Sequence, residues 1–350
     1  MKTILTTGGA GFIGSHTCLV LLNSGFDIVV LDSFINSSDK VLNKISELSN
    51  IQDINKSQRI KIYKGDIRDY SLLDSIFREA EANKKPIFCV IHFAGLKSVF
   101  ESNMKPLNYW DVNVNGTINI LKVMERFNCF NFVFSSSAAV YGKNNNNPKE
   151  ESITKPVNPY GETKLAVETI LKNLYFSSPN KWRISILRYF NPIGAHESGL
   201  LGEDPNVEAS NIFPDICKVA LGKKQFFSIY GNDWPTTDGT GIRDYIHIMD
   251  LAEGHYEAMQ YLFENDPQII YLNLGTGIGT SVLELIHSFE ESNSCKIPYR
   301  FSERRLGDVA SLVANNNLAI SILNWFPKRN IKKMCIDSMN WYIKSPNGYL

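Results

Sequence analysis

A glycine-rich octet wedged between a short apolar stretch and a helical one constrains this chain more than any other feature. Lys2–Thr6 is apolar and β-branched and predicts a strand. Thr7-Gly8-Gly9-Ala10-Gly11-Phe12-Ile13-Gly14 follows, and the pattern from Gly14 to about Ser24 predicts a helix. Glycines in a strand-to-helix turn allow a tight reversal and a close backbone approach to a pyrophosphate, which then rests on the helix N-terminus. A glycine triplet alone occurs in many loops; its surroundings give it meaning. The next strand, Asp27–Leu31, ends on Asp32. A carboxylate about 20 residues past such a turn suits a ribose 2′-hydroxyl and repels a 2′-phosphate, which favours NAD over NADP.

The rest of the chain extends this unit. Arg59–Lys64, Ile87–Phe93, Asn131–Phe134 and Arg183–Leu187 read as further strands. They are followed by Gly65-Asp66, Ala94-Gly95, Ser135-Ser136-Ser137 and Arg188–Asn191. Helical stretches lie between them, notably Asp111–Phe127 and Tyr160–Phe176. Near-continuous apolar strands alternating with helices predict an α/β fold with a doubly wound parallel sheet covered on both faces. Right-handed crossovers then put every strand's carboxyl end, and the ligands, on one edge.

After Asn191 the rhythm breaks. Pro192–Asp244 is rich in Gly, Pro, Asp and Asn. A strand at Ile269–Leu274, a helix at Ser281–Glu290 and a strand at Ile297–Phe301 read as parts of a smaller mixed α/β lobe. The expected division is therefore a Rossmann domain over 1–191, with a return of the chain around 240–262, and a substrate lobe over most of 192–350.

Composition narrows the partners. Among 350 residues, Lys+Arg is 36 and Asp+Glu is 36, for a net charge of zero. That excludes a globally basic nucleic-acid or membrane-surface binder. The Lys84-Lys85, Lys223-Lys224 and Lys332-Lys333 pairs read as solvated surface. Apolar runs such as Cys18–Leu22 are far shorter than the ~20 residues that span a bilayer. No leader is legible at the N-terminus. The six cysteines lie far apart with no Cys-x-x-Cys, so reduced thiols in a cytoplasmic protein are expected. On that view the Asn-x-Ser/Thr triplets at Asn36, Asn55 and Asn115 carry no glycosylation meaning. The histidines have no metal-ligand spacing, so no metal is expected. Asn144–Asn147 reads as a surface loop.

The chemistry is expected after the fifth strand. Tyr160 and Lys164 are spaced i, i+4 on a predicted helix and share a face. Pro159 suits a helix start. An ammonium beside a phenol favours the phenolate, so Tyr160 is the candidate general base, below its free pKa of ~10. Ser137 ends the fifth strand, where a hydroxyl can meet a substrate oxygen. Asp66 is placed to meet an adenine.

With these segments in view, the chain resembles the extended short-chain dehydrogenase/reductase superfamily and, within it, the UDP-glucose 4-epimerase family, from Lys2 to Tyr349. The resemblance rests on Thr7–Gly14, His92–Val99, Phe134–Gly142, Tyr160–Lys164, Leu187–Gly194, Gly231–Asp250 and Arg304–Asp308, with Gly239–His247 (Gly-Thr-Gly-Ile-Arg-Asp-Tyr-Ile-His) the most specific. It implies reversible inversion at C4 of UDP-glucose and UDP-galactose through a transient 4-keto sugar and retained NAD. It implies cofactor contacts from Gly8, Gly11, Phe12, Ile13, Gly14, Asp32, Asn36, Asp66, Ile67, Phe93, Ala94, Gly95, Lys97, Asn113, Ser135, Tyr160, Lys164 and Tyr189. Ser137, Tyr160, Asn191, Asn211, Ile212, Tyr230, Arg243, Arg305, Asp308 and Leu312 are implied for the UDP-hexose. Tyr160, Lys164 and Ser137 are implied as the catalytic set. Arg243 and Arg305 suit a diphosphate, because a guanidinium forks onto phosphate oxygens.

The chain departs from the family pattern at two places. Ala139 stands where a Thr is frequent, and Leu306 interrupts a frequent Arg-Glu-Gly-Asp. Leu312, four residues after Asp308, is expected beside the C2 side of the sugar. A filled pocket there resists an N-acetyl group. The family is usually a homodimer through two helices, for which Asp111–Phe127 and Tyr160–Phe176 are the candidates. Two other functions share the fold. A sugar-nucleotide 4,6-dehydratase needs a carboxylate after the fifth strand, where this chain has Ser137-Ala138-Ala139. An NAD-binding sensor commonly lacks the Tyr or the Lys, and this chain has both.

Overall fold

The computed structural model describes residues 1–50, 59–143, 146–205, 211–305 and 307–349. Asn55, Asn144, Asn145 and Leu306, which figured in the sequence reading, lie outside the described residues. Strands β1 (Thr3–Thr7), β2 (Asp27–Asp32), β3 (Ile60–Lys64), β4 (Ile87–His92), β5 (Asn131–Ser137) and β6 (Arg183–Tyr189) alternate with helices. Then come β7 (Asn191–Ile193), β8 (Phe227–Tyr230), β9 (Ile242–His247), β10 (Ile269–Leu274), β11 (Gly279–Ser281), β12 (Tyr299–Ser302) and β13 (Ser311–Leu312).

Seven strands form a parallel sheet in the order β10-β6-β5-β4-β1-β2-β3. The sheet is a Rossmann fold. Its topology reverses between β1 and β4, which opens a crevice at the carboxyl edge there. Side chains alternate across the sheet. Ile4, Val30, Ile91, Val133, Leu187 and Leu272 face the helices Phe12–Asn23 and Ile248–Glu264. Leu5, Val29, Val90, Phe132 and Ile184 face Phe77, Ile120, Met124, Val167 and Leu171 on the other side. Burial on both faces explains why these strands read as continuous apolar runs.

Three differences from the sequence reading matter for the site. The strand Ile269–Leu274, expected in the smaller lobe, is the edge strand β10 of the large sheet, paired with β6 from Ile184 to Tyr189. Strand membership is set by which backbone lies alongside, and no local pattern carries that information. Second, β5 runs on through Ser135–Ser137, because these polar residues still pair with Leu187–Tyr189 of β6. Third, the helix expected at Asp111–Phe127 is entered from Pro106 through a π-helical segment, Trp110–Asn115, before the α-helix Gly116–Arg126. Such bulges frequently mark functional positions. This one carries Asn113.

The smaller lobe is built on β9, which pairs in parallel with β7 and β13 and antiparallel with β11. A parallel pair, β8 and β12, stands apart. Phe213, Ile216, Ile229, Tyr245, Ile286 and Phe289 form its core. All six cysteines are free. Among the described residues no helix is long and apolar enough to cross a membrane.

Candidate active site

The glycine loop is shaped by close approach. Gly8 has φ of +70°, and a Cβ there would lie 2.7 Å from the Ala94 nitrogen. Backbone therefore packs directly on backbone, with the Phe93 and Ala94 amides both donating to the Thr7 carbonyl at 2.9 and 3.0 Å. A Cβ on Gly14 would lie 2.3 Å from the Gly8 carbonyl oxygen, so only glycine lets the helix seat against the loop. Gly11 occupies the N-cap without a side-chain cap, which leaves the first amides, at Phe12 and Ile13, uncapped by a side chain. Asp32 closes the pocket. Its Oδ2 accepts from the Ala10 amide at 3.0 Å, and its Oδ1 accepts from the Phe34 amide and the Ser37 hydroxyl at 2.9 Å each. Asn36 lies within that turn. A loop that only glycines can close, an uncapped helix start and an adjacent carboxylate fit a dinucleotide with an unsubstituted 2′-hydroxyl.

Further along the crevice, Asn113 is buried. Its Oδ1 accepts from the Leu96 amide at 2.7 Å, and its Nδ2 donates to the Leu96 carbonyl and the Thr163 hydroxyl. A Cβ on Gly95 would lie 3.0 Å from Asn113 Oδ1 and 3.9 Å from Lys164 Nζ, so Gly95 separates these two. Ile67 is buried against Gly116. Asp66 has both oxygens engaged by Arg68, at 2.7 and 3.0 Å. That pairing holds its carboxyl below the usual range.

The structure brings Ser137, Tyr160 and Lys164 together. The helix Pro159–Ser177 starts with Asn158 capping the Gly161 amide and Pro159 in the first turn. Tyr160 therefore sits at the helix start, near Ser137 at the end of β5, with the Lys164 Nζ 5.9 Å from its ring centroid. Lys164 is buried, and its Nζ donates to the Ser135 carbonyl at 2.7 Å. Tyr189 hydrogen-bonds His255.

The electrostatics correct one expectation. Burial pushes the Tyr160 phenol up from its ordinary value, with the nearby Ser137 hydroxyl pulling the other way. Lys164 is itself lowered to about 8 by burial, against the attraction of Glu168. In a dry cleft a lysine committed to a carbonyl does not by itself yield a phenolate.

The nucleotide-sugar residues are drawn from several segments. The β7, β9 and β13 ladder sets Asn191 opposite Tyr245 and Leu312 opposite Arg243. Leu312 packs toward Ala138 and Phe190, next to Ser137. Arg243 donates to Asp308 Oδ1 at 3.1 Å. The Arg305 guanidinium lies 3.8 Å from the Tyr230 ring centroid. Asn211 and Ile212 begin the helix Ile212–Ala220.

Three arrangements escaped the sequence reading. His92 bridges the Thr7 hydroxyl, 2.6 Å away, and the Thr117 hydroxyl, 2.8 Å away. Glu168 makes a buried bidentate pair with Arg188 and accepts from the Ser136 hydroxyl at 2.5 Å. It lies one helical turn past Lys164, so continuing the Tyr160–Lys164 spacing would have found it. Glu203 joins Lys97 and Asn211, and no local signal points to it.

Comparison with known proteins fits this geometry. The family model for GDP-mannose 4,6 dehydratase matches residues 5–338. UDP-glucose 4-epimerase of Bacillus subtilis is 46% identical over 347 residues, covering 99% of this chain and 98% of the relative. The chain belongs to the UDP-glucose 4-epimerase family. The Haemophilus influenzae epimerase is 47% identical over 352 residues, with 99% of each chain covered. The Bifidobacterium longum epimerase, solved in complex with NAD+ and UDP, superposes with a TM-score of 0.92 at 43% identity, covering 99% of this chain and 100% of that one.

Proposed function

We propose that this chain interconverts UDP-glucose and UDP-galactose by inverting C4, using NAD that stays bound between turnovers. The observation that carries this reading is the convergence of Ser137, Tyr160 and Lys164, at the end of β5 and the start of the following helix, on the carboxyl edge of a dinucleotide crevice. NAD, when bound, would supply an acceptor and donor for the C4 hydride and a positive charge that favours a phenolate. Tyr160 takes the 4-hydroxyl proton and later returns it to the ketone oxygen. Ser137 holds that oxygen through both half-reactions. Lys164, now bonded to the Ser135 carbonyl, would hold the nicotinamide ribose and keep Tyr160 poised. The loop Gly8–Gly14 and Asp32 hold the pyrophosphate and adenosine ribose; Asn113, Ser135 and Tyr189 line the nicotinamide end.

The 4-keto sugar must turn within the site, so the grip belongs on the diphosphate. Arg243 and Arg305 supply it, with Asn191, Asn211, Ile212, Tyr230 and Asp308 around the nucleotide. This assigns the cofactor to a domain over 1–191, with later returns of the chain, and the nucleotide-sugar mainly to the lobe over 192–350. The test is incubation of the purified protein with UDP-galactose and no added NAD. UDP-glucose is the expected product. A dehydrated 4-keto-6-deoxy sugar, or no product from protein shown to hold NAD, would overturn the reading.

The protein acts as a homodimer in the cytoplasm on this reading. The apolar faces of the two expected interface helices are core: Ile120, Val123, Met124, Val167 and Leu171 are buried. Phe100, Met104 and Leu107, just before the first of these helices, are 80%, 70% and 83% exposed, and they support the interface. A monomeric mass in solution at micromolar concentration would rule the dimer out.

A further inference from the structure

We propose that Glu203 is a positioning residue that ties the cofactor side of the cleft to the nucleotide-sugar side through one carboxylate oxygen. Its Oε1 accepts from Lys97 Nζ at 3.4 Å and from Asn211 Nδ2 at 2.6 Å. The inference rests on the roles given above to Lys97 and Asn211. The Glu203 side chain is 10% exposed while the Lys97 side chain is 49% exposed, so the pair anchors a long, solvated ammonium to a sheltered point. A carboxylate only accepts hydrogen bonds. The Asn211 amide must therefore turn Nδ2 toward Glu203 and Oδ1 away from it.

A second observation supports this. Asn211 precedes the helix Ile212–Ala220, where an asparagine ordinarily caps a helix amide. It makes no such bond here; its side chain is turned to Glu203 instead. The backbone at Glu203 is held independently. Its carbonyl accepts from Trp341 Nε1 at 3.2 Å and from the Tyr342 hydroxyl at 3.3 Å, and Gly202 lies against the Trp341 ring. The local chain path does not depend on the Glu203 side chain, which makes it open to substitution. Because one oxygen serves both sides, occupancy of the UDP side and the hold on NAD are coupled, and such coupling is reciprocal.

Binding rather than turnover tests this. UDP affinity is measured by calorimetry on the NAD-bound protein, and NAD retention by the fraction left after gel filtration. The proteins are wild type, Glu203→Ala, Glu203→Gln, Lys97→Met, Asn211→Ala and the corresponding doubles. Glu203→Ala should weaken UDP by about tenfold, the loss of one hydrogen bond to a charged group, and add almost nothing in the Asn211→Ala background. Glu203→Gln keeps the shape and an acceptor but not the charge. It should hold UDP within about threefold of wild type, yet shed NAD as Lys97→Met does, with no further loss in the double variant. Additive losses in both cycles would reduce Glu203 to a structural role and overturn the inference. So would unchanged binding in Glu203→Ala. Wild-type protein that binds neither NAD nor UDP would instead overturn the functional reading on which the inference stands.

Discussion

On the cofactor side of the cleft, the contacts that shape the glycine loop engage backbone. Gly8 rests against Ala94, Gly14 against Gly8, and Asp32 accepts from the Ala10 amide. On the nucleotide-sugar side the contacts are made by side chains: Arg243 to Asp308, Arg305 over Tyr230 and Asn211 to Glu203. The first half is a rigid mould whose parts come from successive βα units. The second is assembled from side chains carried by segments far apart in sequence. The division suits a reaction in which one ligand stays put while the other must enter, turn and leave.

Altering each half tests this contrast, and the largest effect should come from the mould. Gly8→Ala forces a Cβ to within 2.7 Å of the Ala94 nitrogen at a φ of +70°. No rotamer relieves an overlap between two backbones, and we expect protein purified without NAD. Arg305→Ala, on the other half, should keep its NAD and raise KM for the UDP-sugar by about tenfold, the loss of one charge-assisted contact. Equal NAD content in Gly8→Ala and wild type would remove the distinction between the halves.

Next in size is Tyr160→Phe, which touches the chemistry between the two halves. Loss of a general acid–base group typically costs about 10² to 10⁴ in rate. NAD content and folding should be unchanged, because the substitution removes one hydroxyl and leaves the glycine loop and its Asp32 contact in place. Near-wild-type turnover would show that the proton travels by another group.

Asp32→Ser refines the account of the mould. The carboxylate holds the Ala10 and Phe34 amides as well as excluding a 2′-phosphate. Reconstitution should show NAD weakened by about tenfold and the preference against NADP relaxed. An unchanged preference would place cofactor choice elsewhere.

The smallest expected change is on the nucleotide-sugar half. Leu312 faces Arg243 across the ladder and packs toward Ala138. Enlarging a ligand in a filled pocket costs about 1–3 kcal/mol, so wild type should favour UDP-glucose and UDP-galactose over their N-acetyl counterparts. Leu312→Cys should raise the N-acetyl rates several-fold and alter the plain-sugar rates less. Rates on all four UDP-sugars check it; equal wild-type rates on both pairs would end the role assigned to Leu312.

The glycine loop, Asp32 and the Tyr160–Lys164 pair were legible from the chain alone because each depends on residues a few positions apart. A strand-to-helix turn and an i, i+4 face are local geometry, and local geometry leaves a local pattern. The alternation of apolar strands with helices announced the parallel sheet for the same reason. Folding in three dimensions was needed for the rest. β10 joins the large sheet because β6 has an unpaired edge there, and Leu312 meets Arg243 through ladder register. Glu203 reaches Lys97, 106 residues away. Contacts at such separations impose no periodicity on the sequence. The Tyr160 phenol followed the same rule: its i, i+4 lysine suggested a lowered pKa, and burial raised it, because desolvation belongs to everything packed around a group and not to its neighbours along the chain.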